Sequence, residues 1–242
     1  MNRLILLVLV RAVCFLSVSS IVSASEWSRV DATAAPYNAA GFVEIVRSAD
    51  GVLNTTQCSG QYVSENVILT AAHCLKGNIG EWEFEELTFF QQYDDGPVAP
   101  IKPVKGTKDC YVIPAEWRGA IKLPYDYAFV KVGATVGPIF NIGIQDLIVG
   151  QELVAIGYPA DSGFGDIMFE VRGSYVGKNV YTGIQMAGNS FSKRSSGGAW
   201  IEPNTSNVVG LNSSIHPGPE MHSPAFTAET LELLAYVESG CG

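Results

Sequence analysis

The sequence predicts an all-β protein closed by one carboxy-terminal helix. Short runs of alternating or β-branched residues recur along the chain, and Gly, Pro, Asn and Asp separate them. A single segment, near the carboxy terminus, has a helical period instead. Many short strands with turn signals between them suggest a sandwich or barrel rather than a parallel α/β sheet. No internal repeat and no low-complexity stretch is evident.

Taken in order, residues 1–24 (MNRLILLVLVRAVCFLSVSSIVSA) have a basic start, an apolar run and a small-residue end. That layout predicts a secretory signal peptide cut after Ala24. The other reading is a membrane anchor, but Arg11 interrupts the run and a spanning helix needs about 20 consecutive apolar residues. Residues 25–40 lack periodicity and read as a surface wrap or a short propeptide. Strands are expected within 41–48, 65–72, 127–133, 151–158, 168–177 and 207–214. The segment 227–240 reads as a helix capped by Thr227, with Glu229 in its first turn and Gly240 as its stop. Leu231, Leu234 and Val237, three apart, supply its apolar stripe.

The full chain carries a formal charge of −9. Loss of Arg3 and Arg11 with the signal leaves 13 basic against 24 acidic residues, a net −11. Nucleic acid and anionic membranes are poor partners for such a surface. Cys14 leaves with the signal, and the remaining Cys58, Cys74, Cys110 and Cys241 suit disulfides in an oxidising compartment. A secreted or periplasmic monomer is the expectation, without cofactor or metal.

Three motifs carry chemistry. CSGQYVSENVILTAAHC (58–74) ends a β-type run at His73, and a Cys58–Cys74 disulfide would clamp the loop that holds the imidazole. In the chain-entropy model a loop of that size is worth roughly 3 kcal/mol, and a general base has to be held within hydrogen-bond reach of its proton. In LPYDYAFVKVG (123–133), Asp126 opens a strand with Ala128, Val130 and Val132 on one face, a place from which a carboxylate can orient an imidazole. A turn-initiating aspartate reads the same way. In SFSKRSSGGAW (190–200), two glycines after Ser196 allow a sharp turn that leaves the hydroxyl uncrowded and amides aimed at an oxyanion. Ordinary loops also contain such runs. The order His, Asp, Ser makes the set specific.

On TAAHC, DYAFVKV, SSGGAW and VVGLNSS, in that order over roughly residues 40–240, the chain resembles the chymotrypsin-like serine peptidases. GYPAD (157–161) and the sparse disulfides are more similar to the bacterial glutamyl endopeptidase branch. The resemblance implies two six-stranded antiparallel β-barrels, 41–138 with His73 and Asp126 and 139–226 with Ser196, with the site between them. It implies that the helix and tail, 227–242, pack back on the first barrel and let Cys110 meet Cys241. By the same resemblance Ser196 is the nucleophile of a secreted endopeptidase acting on polypeptides through an acyl-enzyme. His73 is its base and Asp126 holds the tautomer of His73. The amides of Arg194 and Ser196 form the oxyanion hole. Ser213 lines the cleft, Asn212–Ser214 form one wall of the specificity pocket, and Ser190 and Phe191 lie near its floor, with packing as the other reading of Phe191.

The sequence departs from the family in two places. Arg194 stands where glycine is usual, and a side chain at φ > 0 costs on the order of 1–3 kcal/mol. Ser195 stands where trypsin-type zymogens carry aspartate, so a new amino terminus at Val30, after Arg29, has no buried carboxylate to meet and no trypsin-style switch is expected. No aspartate selects Lys or Arg, and Asn212 occupies the place of the glutamyl endopeptidases' histidine. A small or moderately apolar side chain is the expected preference. Arg194 keeps open the alternative of a non-catalytic or weakly active binding protein on a peptidase fold. The triad also allows an esterase. A zinc site built from Cys74, His73, His216 and His222 matches no usual ligand spacing; the two later histidines are expected in an exposed loop or beside the cleft. Asn54, Asn204 and Asn212 each begin a glycosylation sequon.

Overall fold

The computed structural model describes residues 25–49, 51–77, 82–94, 101–119, 122–135, 137–162 and 167–242. The signal-peptide assignment at 1–24 lies outside the described residues. Among the described residues no helix is long and apolar enough to cross a membrane.

After a two-residue strand β1 (Ser28–Arg29), the chain builds β2 (Ala40–Ala49), β3 (Val52–Ser64), β4 (Val67–Thr70), β5 (Glu83–Gln91), β6 (Val104–Gly106), β7 (Tyr111–Val112) and β8 (Ala128–Lys131). These last seven form one sheet in the order β6-β5-β2-β3-β4-β8-β7. Register shifts at Val46/Arg47 and Tyr62/Ser64 bend its strands, as an inserted residue does. The second sheet takes β9 (Asn141–Ile142), β10 (Glu152–Gly157), β11 (Phe169–Asn179), β12 (Gly183–Ala187), β13 (Ala199–Ile201), β14 (Asn207–Leu211), β15 (Ser214–His216) and β16 (Glu220–Ser223). Its order is β15-β16-β12-β11-β10-β13-β14-β9, and β1 joins it against β11.

Each sheet curls into a half-barrel. The strand count differs from six and six: seven and nine strands are paired among the described residues, because short edge pieces extend each sheet. One pair, β9 with β14, is parallel. Val43, Ile45, Leu69, Leu87 and Phe89 lie in the first core, and Leu153, Ala155, Val171, Met186 and Trp200 in the second. Phe42 of β2 joins the halves, stacked on Tyr93 and edge-on to Tyr158 with ring centroids 5.6 Å apart in both pairs.

From Ser25 to Val30 the chain packs on the second sheet. Trp27 packs edge-on against Phe191, centroids 5.4 Å apart, and its Nε1 donates to Ser190 Oγ at 3.0 Å. Behind β1 the Val30 amide donates to Met168 O at 3.2 Å.

The predicted helix is Ala228–Glu238, the third after one-turn α1 (Ala72–Leu75) and α2 (Ala115–Gly119), and is labelled α3. Thr227 caps it reciprocally with Thr230, whose Oγ1 accepts from the Thr227 amide at 3.0 Å. Its buried face is Thr230, Leu234 and Val237, while Leu231 is 38% exposed. The three-residue spacing read from sequence drifts off a 3.6-residue turn, and the i, i+4, i+7 set is what faces the protein. The helix packs on β4, β7 and β8. With that cover, β8 is not half-buried as its alternation suggested: Ala128, Phe129 and Val130 are all inaccessible. Cys110 and Cys241 are bonded and tie the tail to β7.

Candidate active site

The apolar run of β4 carries the chain into the core and releases it into α1, the single turn that holds His73. The Cys58–Cys74 disulfide ties that turn to β3. The amides of a helix's first turn have no partner within the helix. Here the His73 amide donates to Asp126 Oδ1 at 2.8 Å, and His73 Nδ1 lies 2.7 Å from Asp126 Oδ2. Asp126 ends the short 3-10 turn Leu123–Tyr125, its amide donating to Leu123 O. A third donor, Ser213 Oγ, reaches Asp126 Oδ2 at 2.5 Å. The Asp126 side chain is 1% exposed, and three hydrogen bonds hold it. A buried carboxylate needs such partners to stay charged.

Burial is the largest influence on Asp126 and raises its pKa, but the His73 charge and the hydrogen bonds from His73 and Ser213 hold it below its usual value. For His73, burial favours the neutral ring, while the Asp126 charge and hydrogen bond together outweigh it and raise the pKa above 6.5. The His73 side chain keeps 35% of its surface open to the cleft.

Ser196 sits in a turn fixed on both sides. Gly197 takes φ +85° and its amide donates to Asn212 O at 2.8 Å, while the Ser59 amide donates to Ser196 O at 2.7 Å. Ser195 closes a local turn by donating to Ser192 O at 2.6 Å. Arg194 adopts φ +75°, the left-handed conformation that glycine takes most readily. The Lys193 carbonyl accepts from the Ala160 amide at 2.8 Å, and Arg194 O accepts from Ser59 Oγ at 3.0 Å. The Arg194 guanidinium lies over the Phe42 ring, 5.3 Å from its centroid, within cation–π range.

Two cavities meet at Ser196. A cleft of about 370 Å³ is lined by His73, Ser196, Arg194 and the Cys58–Cys74 disulfide. A smaller cavity of about 160 Å³ is lined by Ser192, Lys193, Ser195, Asn212, Ser213, Ile215 and Met221 as well as Ser196. His73 and Ser196 share the first cleft without a hydrogen bond between their side chains. A base and nucleophile often tighten only once substrate is bound.

Several residues lie elsewhere than expected. Ser190 and Phe191 are not among the residues lining either cavity; Trp27 takes both, and Phe191 is buried packing. Ser214 does not line the smaller cavity either, since residues along a strand alternate faces and Ile215 lines it instead. Asn212 lines it but is buried and bonded four ways: Oδ1 accepts from Trp200 Nε1 and Asn189 Nδ2, and Nδ2 donates to Ile156 O and Ser195 O. Such an amide cannot serve as a glycan acceptor in the folded protein, whereas Asn54 and Asn204 are exposed. His222 is not in an exposed loop: it is buried in β16, its ring 5.1 Å from that of exposed His216. Burial, then the His216 charge, lowers the His222 pKa. Among the described residues the one metal-ligand grouping is Cys58, His73 and Cys74, and its two sulfurs are bonded to each other.

Sequence reasoning missed Ser59. Its Oγ accepts from the Tyr158 amide and donates to Arg194 O, linking both sheets to the Ser196 turn. The strand around it is itself polar (Asn54, Thr55, Thr56, Gln57 and Gln61), so no local signal singled the hydroxyl out.

This is the cleft of a two-half-barrel peptidase fold. The trypsin-like peptidase domain model matches residues 58–211, and the chain belongs to that family. Its class is that of the serine endopeptidases, a group of hydrolases. Among solved structures, a Glu endopeptidase superposes with a TM-score of 0.74 at 21% identity, covering 90% of this chain and 99% of that one. A thermostable serine protease, AL20, gives 0.70 at 23% identity over 84% and 98%. The protease Anisep from Arthrobacter nicotinovorans gives 0.69 at 21% identity over 84% and 96%. These likenesses bear on the fold. No curated protein matches the chain.

Proposed function

We propose that the protein is a secreted endopeptidase that cuts polypeptides through Ser196, His73 and Asp126. The observation that carries the reading is the buried Asp126 carboxylate, bonded at once to the amide and the Nδ1 of His73. That carboxylate leaves Nε2 of His73 to take the Ser196 proton. Ser196 Oγ then bonds to the scissile carbonyl carbon, the C–N bond breaks, and His73 returns the proton to the leaving amine. Water, deprotonated by the same imidazole, releases the acyl group.

The amides of Arg194 and Ser196 are the donors for the developing oxyanion. In a trans peptide N–H and C=O point opposite ways, so the Lys193 carbonyl turned to Ala160 directs the Arg194 N–H away from that residue. Ser196 N–H has no acceptor among the described residues. A left-handed Arg194 supports this reading over a non-catalytic binding protein. The smaller cavity of about 160 Å³, lined by hydroxyls, Lys193, Asn212, Ile215 and Met221, holds no carboxylate to select Lys or Arg, and its size suits a small or moderately apolar side chain. Two disulfides support export to an oxidising compartment. A fluorophosphonate probe, mapped by mass spectrometry, is expected to label Ser196 and to lose the label in Ser196→Ala and His73→Ala. Folded wild-type protein without label would overturn the reading.

A further inference from the structure

The two cavities at Ser196 differ in one respect that bears on mechanism. The imidazole has to deliver its proton to the departing amine, so the leaving half of the substrate lies on the side that His73 lines. His73 lines the 370 Å³ cleft and is not among the residues of the smaller cavity. The larger cleft therefore receives the residues after the scissile bond.

That cleft is cationic in a chain of net charge −9. Arg47, Lys193 and Arg194 line it, with Thr55, Thr56 and Gln57 as neutral neighbours and no carboxylate among the lining residues. Arg47 comes from β2, just past its bulge, and the other two from the loop before Ser196, so both half-barrels contribute. The Arg47 guanidinium lies 4.5 Å from the Trp82 ring centroid and that of Arg194 lies 5.3 Å from Phe42. An aromatic face holds a guanidinium in place while its charge persists. Arg47 has no carboxylate bonded to it among the described residues. The Arg194 guanidinium is turned onto Phe42 with Nε and Nη2 buried, so Arg47 and Lys193 present the charge of the cleft. Two like charges there attract an anion and select against cations by repulsion.

Resting on the serine-peptidase reading, we infer that the cleft binds a carboxylate on the leaving-group side of the substrate. Two sources present that chemistry: an acidic side chain one or two residues after the scissile bond, or the free carboxy terminus of a short peptide. Arg47 is then a specificity residue for the leaving half. Lys193, which also lines the smaller cavity, stands between the two halves.

The test uses peptides with one acyl half and three leaving halves: an amidated one with Glu, the same with Gln, and the Gln form with a free carboxy terminus. Wild-type kcat/KM is expected to favour a carboxylate-bearing peptide over the amidated Gln peptide by about five- to tenfold at low ionic strength. The preference should shrink towards unity in about 0.5 M salt and in Arg47→Gln. Whichever carboxylate peptide gains identifies the source. Binding of the same peptides to Ser196→Ala, followed by fluorescence anisotropy, should show the same order without turnover. Equal kcat/KM and equal binding for all three peptides would overturn the inference, while probe labelling of Ser196 in that protein would leave the peptidase reading standing. Protein that binds carboxylate peptides preferentially yet takes no label would uphold a carboxylate site in the cleft while sinking the peptidase mechanism and, with it, the leaving-group assignment.

Discussion

At Gly197, a Cβ would lie 2.4 Å from both Ser59 O and Thr70 Oγ1, and φ is +85° besides. Neither oxygen can move away without breaking the contact between β3 and the Ser196 turn, because Thr70 Oγ1 itself donates to Ser59 O at 2.8 Å. Gly197→Ala is expected to cost about 3 kcal/mol or more, seen as a lower Tm and slower probe labelling of Ser196. Ionisation at His73 and Asp126 makes a second prediction. The raised His73 pKa contributes stability that is fully present below 6.5 and is lost as pH rises through the folded value. The lowered Asp126 pKa contributes stability that is present above 3.8 and is lost as pH falls through its folded value. In the proposed mechanism a neutral His73 is the active form, so kcat/KM should rise with pH through an ionisation above 6.5. Peptidase activity therefore peaks at higher pH than the stability this pair supplies. In Asp126→Asn the acid limb should move to lower pH, since burial then acts on His73 unopposed, and turnover should fall about 10⁴-fold. Rate profiles and melting curves measured across the same pH range check both.

The elements that carry these residues are short and held from outside. A single turn of helix has no stability of its own, so α1 relies on the Cys58–Cys74 bond and on Asp126 accepting its first amide. The helix α3 is longer, but its buried face is narrow, and the Cys110–Cys241 bond anchors its far end to the first sheet. Replacing both Cys110 and Cys241 by Ala is expected to lower stability by about 2–5 kcal/mol. Because α3 packs on β4 and β8, which lead into His73 and out of Asp126, denaturant melts should show that loss together with lower specific activity. The strand runs and the terminal helix were legible in the sequence, since period, turn residues and caps are local signals. Of the side of the helix that packs, Leu234 and Val237 were legible and the first position was not, because Thr230 reads as polar while its hydroxyl finds Tyr127 Oη at 3.3 Å in the core.

Across the whole molecule, the segment before β2 binds the amino-terminal side of the chain to both half-barrels, through β1 to the second and through Arg29 and Asn38 to the first. Arg29 pairs with Asp94 through two bonds at 2.9 and 3.0 Å, and the Val30 amide donates to Met168 O. Position 195 offers a serine, bonded to Ser192 O, rather than a carboxylate to pair with a new amino group. Extending the chain before Ser25 is therefore expected to leave activity within about twofold, whereas deletion through Arg29 removes β1 and Trp27 and lowers stability by about 3 kcal/mol, read as a lower Tm. Activity appearing only after cleavage at Arg29 would contradict this account.

Local chemistry in the sequence determined the β class, the capped terminal helix, the Cys58–Cys74 clamp around His73 and the glycines behind Ser196. Each depends on residues near one another along the chain, where period and turn preference act directly. Tertiary structure alone decided that Asn212 spends all its hydrogen bonds on the core, that Trp27 takes Ser190 and Phe191 out of the cleft, and that His222 is buried. It also decided that Arg47 meets Lys193 and Arg194 across the two half-barrels. Those outcomes are set by which strands pair and how far each sheet bends, and a bulge or a covering helix changes which side of a strand meets solvent without altering the local pattern.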